Sequence, residues 1–289
     1  MLDSNQRKER EDLKSQWEAL NDELAFAEEH KKPWQWGHWE SGGIRTVQCP
    51  THGEHEQLTL IGKSLRGGEH QKHSRCPRCV RDELAQVEAK QRSLRVSELL
   101  ENAGIALRFE PCEFENFQTI NPIAAKNLSA CQRYAESWPQ RLDAGTGIVM
   151  TGSCGTGKNH LAVSMTKKII RDHLASVELT DVMRITRAVK STWRNSSELT
   201  EGDVLRHYSS LDLLIIDEVG VQFGTQAESV ILQEIINARY ENILPTILIS
   251  NLTFEQLQGA IGERIVDRVA EGGRNRLAFN WPSYRGNAA

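Results

Sequence analysis

Apolar and polar positions divide the chain into two differently patterned parts. From Leu2 to about Lys32, Leu13, Trp17, Leu20, Leu24 and Ala27 recur at spacings of four, three, four and three among charged residues. That period sets them on one stripe of an amphipathic helix, which Pro33 should stop. Two heptads are short for a self-standing coiled coil, so the stripe must pack on its own domain or in a partner's groove. "PWQWGHW" follows, with Trp34, Trp36 and Trp39 in a loop-like context. The stretch from Arg45 to about Val80 reads as compact and turn-rich. Arg81 to Glu101 reads as a second, highly charged helix with a partial stripe of Leu84, Val87, Leu94 and Leu99. "NAGIAL" then breaks the pattern. The main boundary is expected near Ala103, separating an N-terminal module, residues 1–103, from a domain over 104–289.

In the second part, strands and helices alternate. "GIVMTG", "LDLLIID", "PTILISN" and "RLAFNW" are short apolar runs that end in polar residues, and "KNHLAVSMTKKIIRDH" reads as a helix. Strand, crossover helix and strand in succession predict an α/β fold, a parallel sheet covered on both faces by helices. Ligands bind such sheets at the carboxyl ends of the strands, where these polar residues fall.

Composition narrows the setting. Of 289 residues, 39% are apolar, enough for a sizeable core. A net charge of −4 gives no global pull towards nucleic acid, so any such contact needs a local patch. The longest clear apolar run, "LLII", is far short of a membrane span, and "MLDSNQRKEREDLK" lacks the apolar stretch of a signal peptide. A soluble, cytoplasmic protein is expected. In that compartment six cysteines serve as thiols or metal ligands rather than disulfides.

The strongest chemical signal is "TGSCGTGKNHL", Thr151 to Leu161. Gly152, Gly155, Thr156, Gly157 and Lys158 match a phosphate-binding loop, whose glycines let backbone N–H groups converge on phosphate oxygens. Lys158 would reach the outer phosphates. The loop follows a strand and opens a helix, the context that separates it from a plain strand-to-helix turn. Downstream, "LDLLIIDE" ends an apolar strand in Asp217 and Glu218. In P-loop ATPases such a strand lies beside the loop; its Asp holds Mg²⁺ and the adjacent Glu can orient the attacking water. Where a Ser or Thr hydroxyl usually follows the lysine, the chain has Asn159. Its amide oxygen could bind Mg²⁺ directly, bind it through water, or hold the loop shape.

"GTGKNHLA", "DLLIIDEVGVQ", "GERIVDR" and "FNWPSYR" closely resemble the bacterial helicase loaders of the DnaC family, over about Leu107 to Arg285. That family shares the Lys-Asn-His run and consists of ATP-binding AAA+ proteins. The resemblance therefore implies a working ATP site, an AAA+ P-loop sheet and a weak ATPase. It also implies roles: Asn251 as the sensor near the γ-phosphate, and Arg268 as the finger reaching a neighbouring subunit's ATP, with Arg264 its runner-up. Arg285 matches the second sensor arginine. A planar guanidinium suits each arginine role.

"RITRAVKSTWRNSSE" lies between the second strand and the acidic strand. Arg187, Lys190 and Arg194, with Arg184, bring charge, and Trp193 offers a stacking face, a combination that suits single-stranded DNA. The alternative is an amphipathic surface helix with a half-buried Trp. In loaders and replication initiators this region is an extra helix lining a DNA channel, which favours the first reading.

"CPTHG" and "CPRC" place Cys49, His52, Cys76 and Cys79 as C-x₂-H and C-x₂-C, separated by twenty-three residues. Two such turns suit a closed, tetrahedral and structural Zn²⁺ site. His55, His70 and His73 are nearby substitutes for the fourth ligand. Cys112, Cys131 and Cys154 lack such pairing. The zinc segment is locally basic through Lys63, Arg66, Lys72, Arg75, Arg78 and Arg81. This module departs from the DnaC pattern.

The leading expectation is an AAA+ ATPase, using ATP and Mg²⁺ and carrying Zn²⁺. It would engage a hexameric replicative helicase through its N-terminal region, help place it on single-stranded DNA, and form a homo-oligomer when ATP-bound. A bacterial source is expected, with a phage or mobile element as a candidate. The rivals are an IstB-like transposition helper ATPase, and a zinc-dependent DNA-binding adaptor with an inactive ATP site.

Overall fold

In the computed structural model, which describes residues 4–33, 36–63, 68–194, 198–220, 226–270 and 274–284, helix α1 (Ser4–Glu28) ends before Pro33. The Lys31 N–H folds back onto Ala25 O, and His30 takes a left-handed φ of 54°. Leu13, Phe26 and Ala27 are buried, while Trp17 is 37% exposed and donates its indole N–H to Glu88. The stripe thus packs within its own unit.

The turn-rich expectation for 45–80 needs correction. Strands β1 (Glu40–Cys49), β2 (Gly53–Lys63) and β3 (Glu69–His73) form an antiparallel meander. Almost all of β1 and all of β3 are exposed, so no alternation of apolar and polar residues marks them. Only β2 carries a buried pair, Leu58 and Leu60, which pack with Phe26. Helix α2 (Pro77–Asn102) begins earlier than its apolar stripe suggests, with Pro at its first position, where a missing N–H costs nothing. The chain divides into two compact units, residues 1–95 and 96–289, a division that falls inside α2. Leu99 and Ala103 belong to a core cluster of the larger unit.

That unit contains α3 (Pro122–Glu136), α4 (Trp138–Asp143), β4 (Ile148–Gly152), α5 (Lys158–His173), β5 (Val177–Asp181), α6 (Val182–Ser191) and α7 (Glu201–Ser210). It continues with β6 (Leu213–Asp217), α8 (Gln226–Glu241), β7 (Thr246–Ile249), α9 (Phe254–Ile261), α10 (Glu263–Ala270) and β8 (Arg276–Phe279). The strands pair in parallel in the order β5-β6-β7-β4-β8. Successive β6 residues point to opposite faces: Leu213 and Ile215 join one core cluster, Leu214 and Ile216 the other. Both faces are covered, so the strand reads as one unbroken apolar run. The second strand, β5, is an edge strand in which only Val177 and Thr180 are buried, and its sequence is correspondingly mixed.

The acidic strand β6 does not pair with β4, the strand before the phosphate loop. β7 lies between them. Its carboxyl end therefore delivers Asn251 to the space between the loop and Asp217. Beneath the opposite end of the sheet, Arg239 is fully buried and donates to the carbonyls of Tyr208, Leu211 and Pro245 and to Thr246 Oγ1. Burial pushes its guanidinium down to about 10, so it stays charged at neutral pH while tying two loops together.

Candidate functional site

The loop after β4 is shaped by two close approaches that only glycine tolerates. Gly152, at φ +126°, brings its Cα so near Phe279 O that a Cβ would lie 2.4 Å away. Gly157, at φ +94°, lies under the ring of Phe117, where a Cβ would meet Cε2 at 2.6 Å. Thr156 is buried and donates its hydroxyl to Ser153 O, which closes the loop.

Lys158 is 5% exposed and donates to Gly152 O and Ser153 O, both at 2.7 Å. Burial holds its ammonium below the ordinary lysine range, partly offset by Asp217 and Cys154. Asn159 donates its amide to Asp217 Oδ2 at 2.7 Å, while Asp217 Oδ1 accepts the N–H of Glu218. The odd letter of the loop therefore clasps the acidic strand to the phosphate loop. Glu218 sits at φ +57°, a costly conformation for a residue with a Cβ, and the surrounding backbone imposes it. Val219 N–H donates to Ile249 O, and Ser250 Oγ donates to Val219 O.

Thr156, Gly157, Lys158, Asn159, Asp217 and Glu218 line one cleft of about 620 Å³, together with Gly155 and Asn251. The sequence reading missed its far wall. Phe117, Gln118, Ile120 and Tyr284 line it, and they come from the 107–121 segment and the chain's end. Helix α5 straps that segment down. Lys167 donates to Cys112 O and pairs with Glu113, Arg171 pairs with Glu113, and His160 bonds Glu113 O at 2.8 Å. The tyrosine of "SYR" was visible as part of a motif. The strap was not, because its ties join polar groups some fifty residues apart in the chain. Cys154 is exposed and lines the same cleft; Cys131 is fully buried, and burial pushes its thiol up.

A phosphate loop, an acid-tipped strand and a polar residue from the strand between them form the nucleotide cleft of a P-loop ATPase. Comparison with known proteins agrees. Residues 79–271 match the family described as IstB-like ATP binding protein. The chain belongs to this family. Within it, the chain is similar to the replicative helicase loader DnaC of Buchnera aphidicola subsp. Schizaphis graminum, at 33% identity over 67% of this chain and 77% of the relative. The DnaC of Escherichia coli K12 is 32% identical over 70% of this chain and 80% of the relative. A crystal structure of the DnaC helicase loader shares the fold, with a TM-score of 0.53 at 19% identity, over 61% of this chain and all of that one. An IstB-like, DnaC-related chain of this kind is an AAA+ ATP-binding protein.

Other predicted residues of this IstB-like chain lie away from the cleft. Arg268, on α10, is partly buried, donates to Asn237 and stacks its guanidinium 4.8 Å from the ring of Tyr240. Arg264, one turn earlier, is exposed. Arg285 lies outside the described residues. On α6, Val182, Ile185 and Val189 are buried, leaving Arg187 and, just beyond the helix, Arg194 exposed. Trp193 is 57% exposed, with its indole N–H donated to Glu201. Lys190 differs from its neighbours: it pairs at 3.3 Å with the buried carboxylate of Glu228. Its ammonium, 40% exposed, thus has a partner on another helix.

The family match begins at residue 79, so three of the four cysteine and histidine candidates precede it. The hairpin turn between β1 and β2 carries Cys49 and His52, while Cys76 and Cys79 open α2. Their ligand atoms all lie within 4.8 Å of one another. Cys49 Sγ is 3.6 Å from Cys79 Sγ, and His52 Nδ1 is 3.3 Å from Cys79 Sγ and 3.7 Å from Cys76 Sγ. Around a tetrahedral zinc with its usual bond lengths, ligand atoms stand about 3.4–3.8 Å apart, so the set fits. Backbone N–H groups of Thr51 and His52 pull Cys49 down to about 6, and Cys79 beside it is pushed up to about 11. A cation at the centre relieves that conflict between neighbouring thiols. The substitute histidines stand apart: His73 bonds Thr59 Oγ1, and His70 sits on exposed β3.

Proposed function

We propose that this chain is an ATP-switched loader that engages a replicative helicase and helps place it on single-stranded DNA during replication. The observation that carries the reading is the clasp of Asn159 on Asp217 at the floor of the cleft, in a chain whose curated relatives are replicative helicase loaders. Lys158 and the loop N–H groups hold the phosphates. Asp217 and Asn159 would hold Mg²⁺, which supplies charge neutralisation to the β- and γ-phosphates. Glu218 orients the attacking water, and Asn251 sits where it can bond that water and the γ-phosphate. Arg268 of one subunit, or Arg264 beside it, completes the site of the next, so turnover requires a homo-oligomer. Hydrolysis is weak and resets the switch.

DNA contact runs through Trp193, Arg187 and Arg194. Lys190 supports that face by anchoring α6 to α8 through Glu228. The N-terminal unit, braced by Zn²⁺ on Cys49, His52, Cys76 and Cys79, engages the helicase. A transposition helper is the weaker reading: the family description carries the IstB name, but relatives at 32–33% identity that cover two thirds of the chain are named replicative helicase loaders. The full-length chain, mixed with the replicative helicase of its own genome, should co-elute with it in ATP. It should also promote helicase deposition on single-stranded DNA. Absence of association in any nucleotide state would remove the loader reading.

A further inference from the structure

His52 turns its two ring nitrogens to different tasks. Nδ1 faces the three thiols at 3.3, 3.7 and 3.9 Å. Nε2 points the other way and meets Asp82 Oδ2 at 3.1 Å. Asp82 follows Cys79 by three residues on α2, and Cys79 follows Cys76 by three, in the run "CPRCVRD". Positions three apart share one face of a helix, so Asp82 is delivered to the cluster by the turn that delivers the last thiol. The His52 backbone is also held: Arg78 Nη1 donates to His52 O at 3.3 Å.

We propose that Asp82 is the positioning residue of the zinc centre, acting through His52. The inference rests on the zinc reading given above. A histidine that binds a metal through Nδ1 must carry its proton on Nε2, and a carboxylate accepting that proton selects the tautomer. The same bond fixes the ring plane and makes the ligating nitrogen more basic. Without it, the ring of a residue on a hairpin turn can rotate about its side-chain bonds. It can also present the wrong nitrogen to the thiols. Asp82 is 63% exposed, so its bond to a merely protonated His52 would be a weak surface pair. Acting on a metal-bound imidazole gives this exposed carboxylate a function that a surface pair lacks.

The test uses the full-length protein with Co²⁺ as a spectroscopic probe and Zn²⁺ measured by competition with a chromogenic chelator. Wild type should bind one ion with the visible spectrum of tetrahedral cobalt on three thiolates and one nitrogen. Asp82→Ala should lose about 10-fold or more in affinity, as outer-shell partners of zinc histidines do. Asp82→Asn keeps an acceptor oxygen without the charge and should recover part of the loss. Against a His52→Ala background, Asp82→Ala should cost nothing further, because the effect travels through His52. Circular dichroism checks that the variants keep their fold. If wild type binds metal and both Asp82 variants match it, the role of Asp82 is overturned and the zinc site stands. An equal loss with and without His52 also overturns it. A wild type that binds no metal removes both.

Discussion

Asn159 gives its amide to the carboxylate that a P-loop ATPase uses at its metal. A hydroxyl at this position would ligate Mg²⁺; the amide N–H instead holds Asp217, and under the proposed function its oxygen would face that ion as a neutral ligand. Lys158 is the less replaceable neighbour, because it is the buried cation of the loop. Lys158→Ala should abolish nucleotide binding in a fluorescent-nucleotide titration, whereas Asp217→Asn should retain binding and lose Mg²⁺-dependent hydrolysis. Unchanged affinity in the lysine variant would rule out an ATP site here. These residues were legible in the sequence because a phosphate loop is local, a turn and the helix behind it. Their partners were less so: nothing along the chain announces that Phe117 roofs Gly157 or that Asp82 backs His52.

At the scale of elements, α8 and α6 carry the testable consequences. Arg239 on α8 donates to four backbone carbonyls, those of Tyr208, Leu211, Asp212 and Pro245, and to the Thr246 hydroxyl. Arg239→Met fills similar volume but strands those acceptors, at about 1–3 kcal/mol for each buried group left unpaired. Thermal unfolding should show a loss of several kcal/mol; a change under about 1 kcal/mol would mean that water replaces the guanidinium. On α6 the apolar face is buried and the opposite face ends in an exposed indole. Stacking on such a ring is worth about 1–3 kcal/mol per base, so Trp193→Ala should weaken single-strand binding several-fold or more and spare ATP affinity. Equal binding by both proteins, measured by fluorescence anisotropy, would place the DNA elsewhere. The sequence pattern marked α6 as basic, yet it could not show that Lys190 is committed to Glu228, a residue of a different helix.

At the scale of the whole molecule, the arginine proposed for turnover, Arg268, does not line the cleft of its own chain; among the described residues the arginine that does is Arg108. Arg268 is held on α10 by Asn237 and Tyr240 of α8, outside the lining of its own chain's cleft. Arg268→Ala should therefore leave ATP binding to the isolated chain intact and impair hydrolysis and assembly. Mixing Arg268→Ala with Lys158→Ala chains allows junctions with both groups intact, so turnover should rise above that of either variant alone. A mixture no better than its parts, beside an active wild type, would end the shared-site mechanism. Among the described residues no helix is long and apolar enough to cross a membrane.

The sequence by itself determined the three central strands of the sheet, the phosphate loop, the acidic strand tip and the paired C-x₂-H and C-x₂-C turns. Strands buried on both faces read as unbroken apolar runs, and the loop and turns are spacings of a few residues, so neither needs a distant partner to be recognised. Tertiary structure alone decided the rest. It made a meander whose outer strands, β1 and β3, are almost wholly exposed, where no alternation could mark them. It placed β7 between β4 and β6, and so Asn251 in the cleft shared by the phosphate loop and Asp217. It strapped the 107–121 segment onto α5 through Lys167, Arg171 and His160, and chose His52 over three other histidines. In each case the deciding bond joins polar groups far apart in the chain, and polar groups leave no periodic trace; only the folded backbone brings them together.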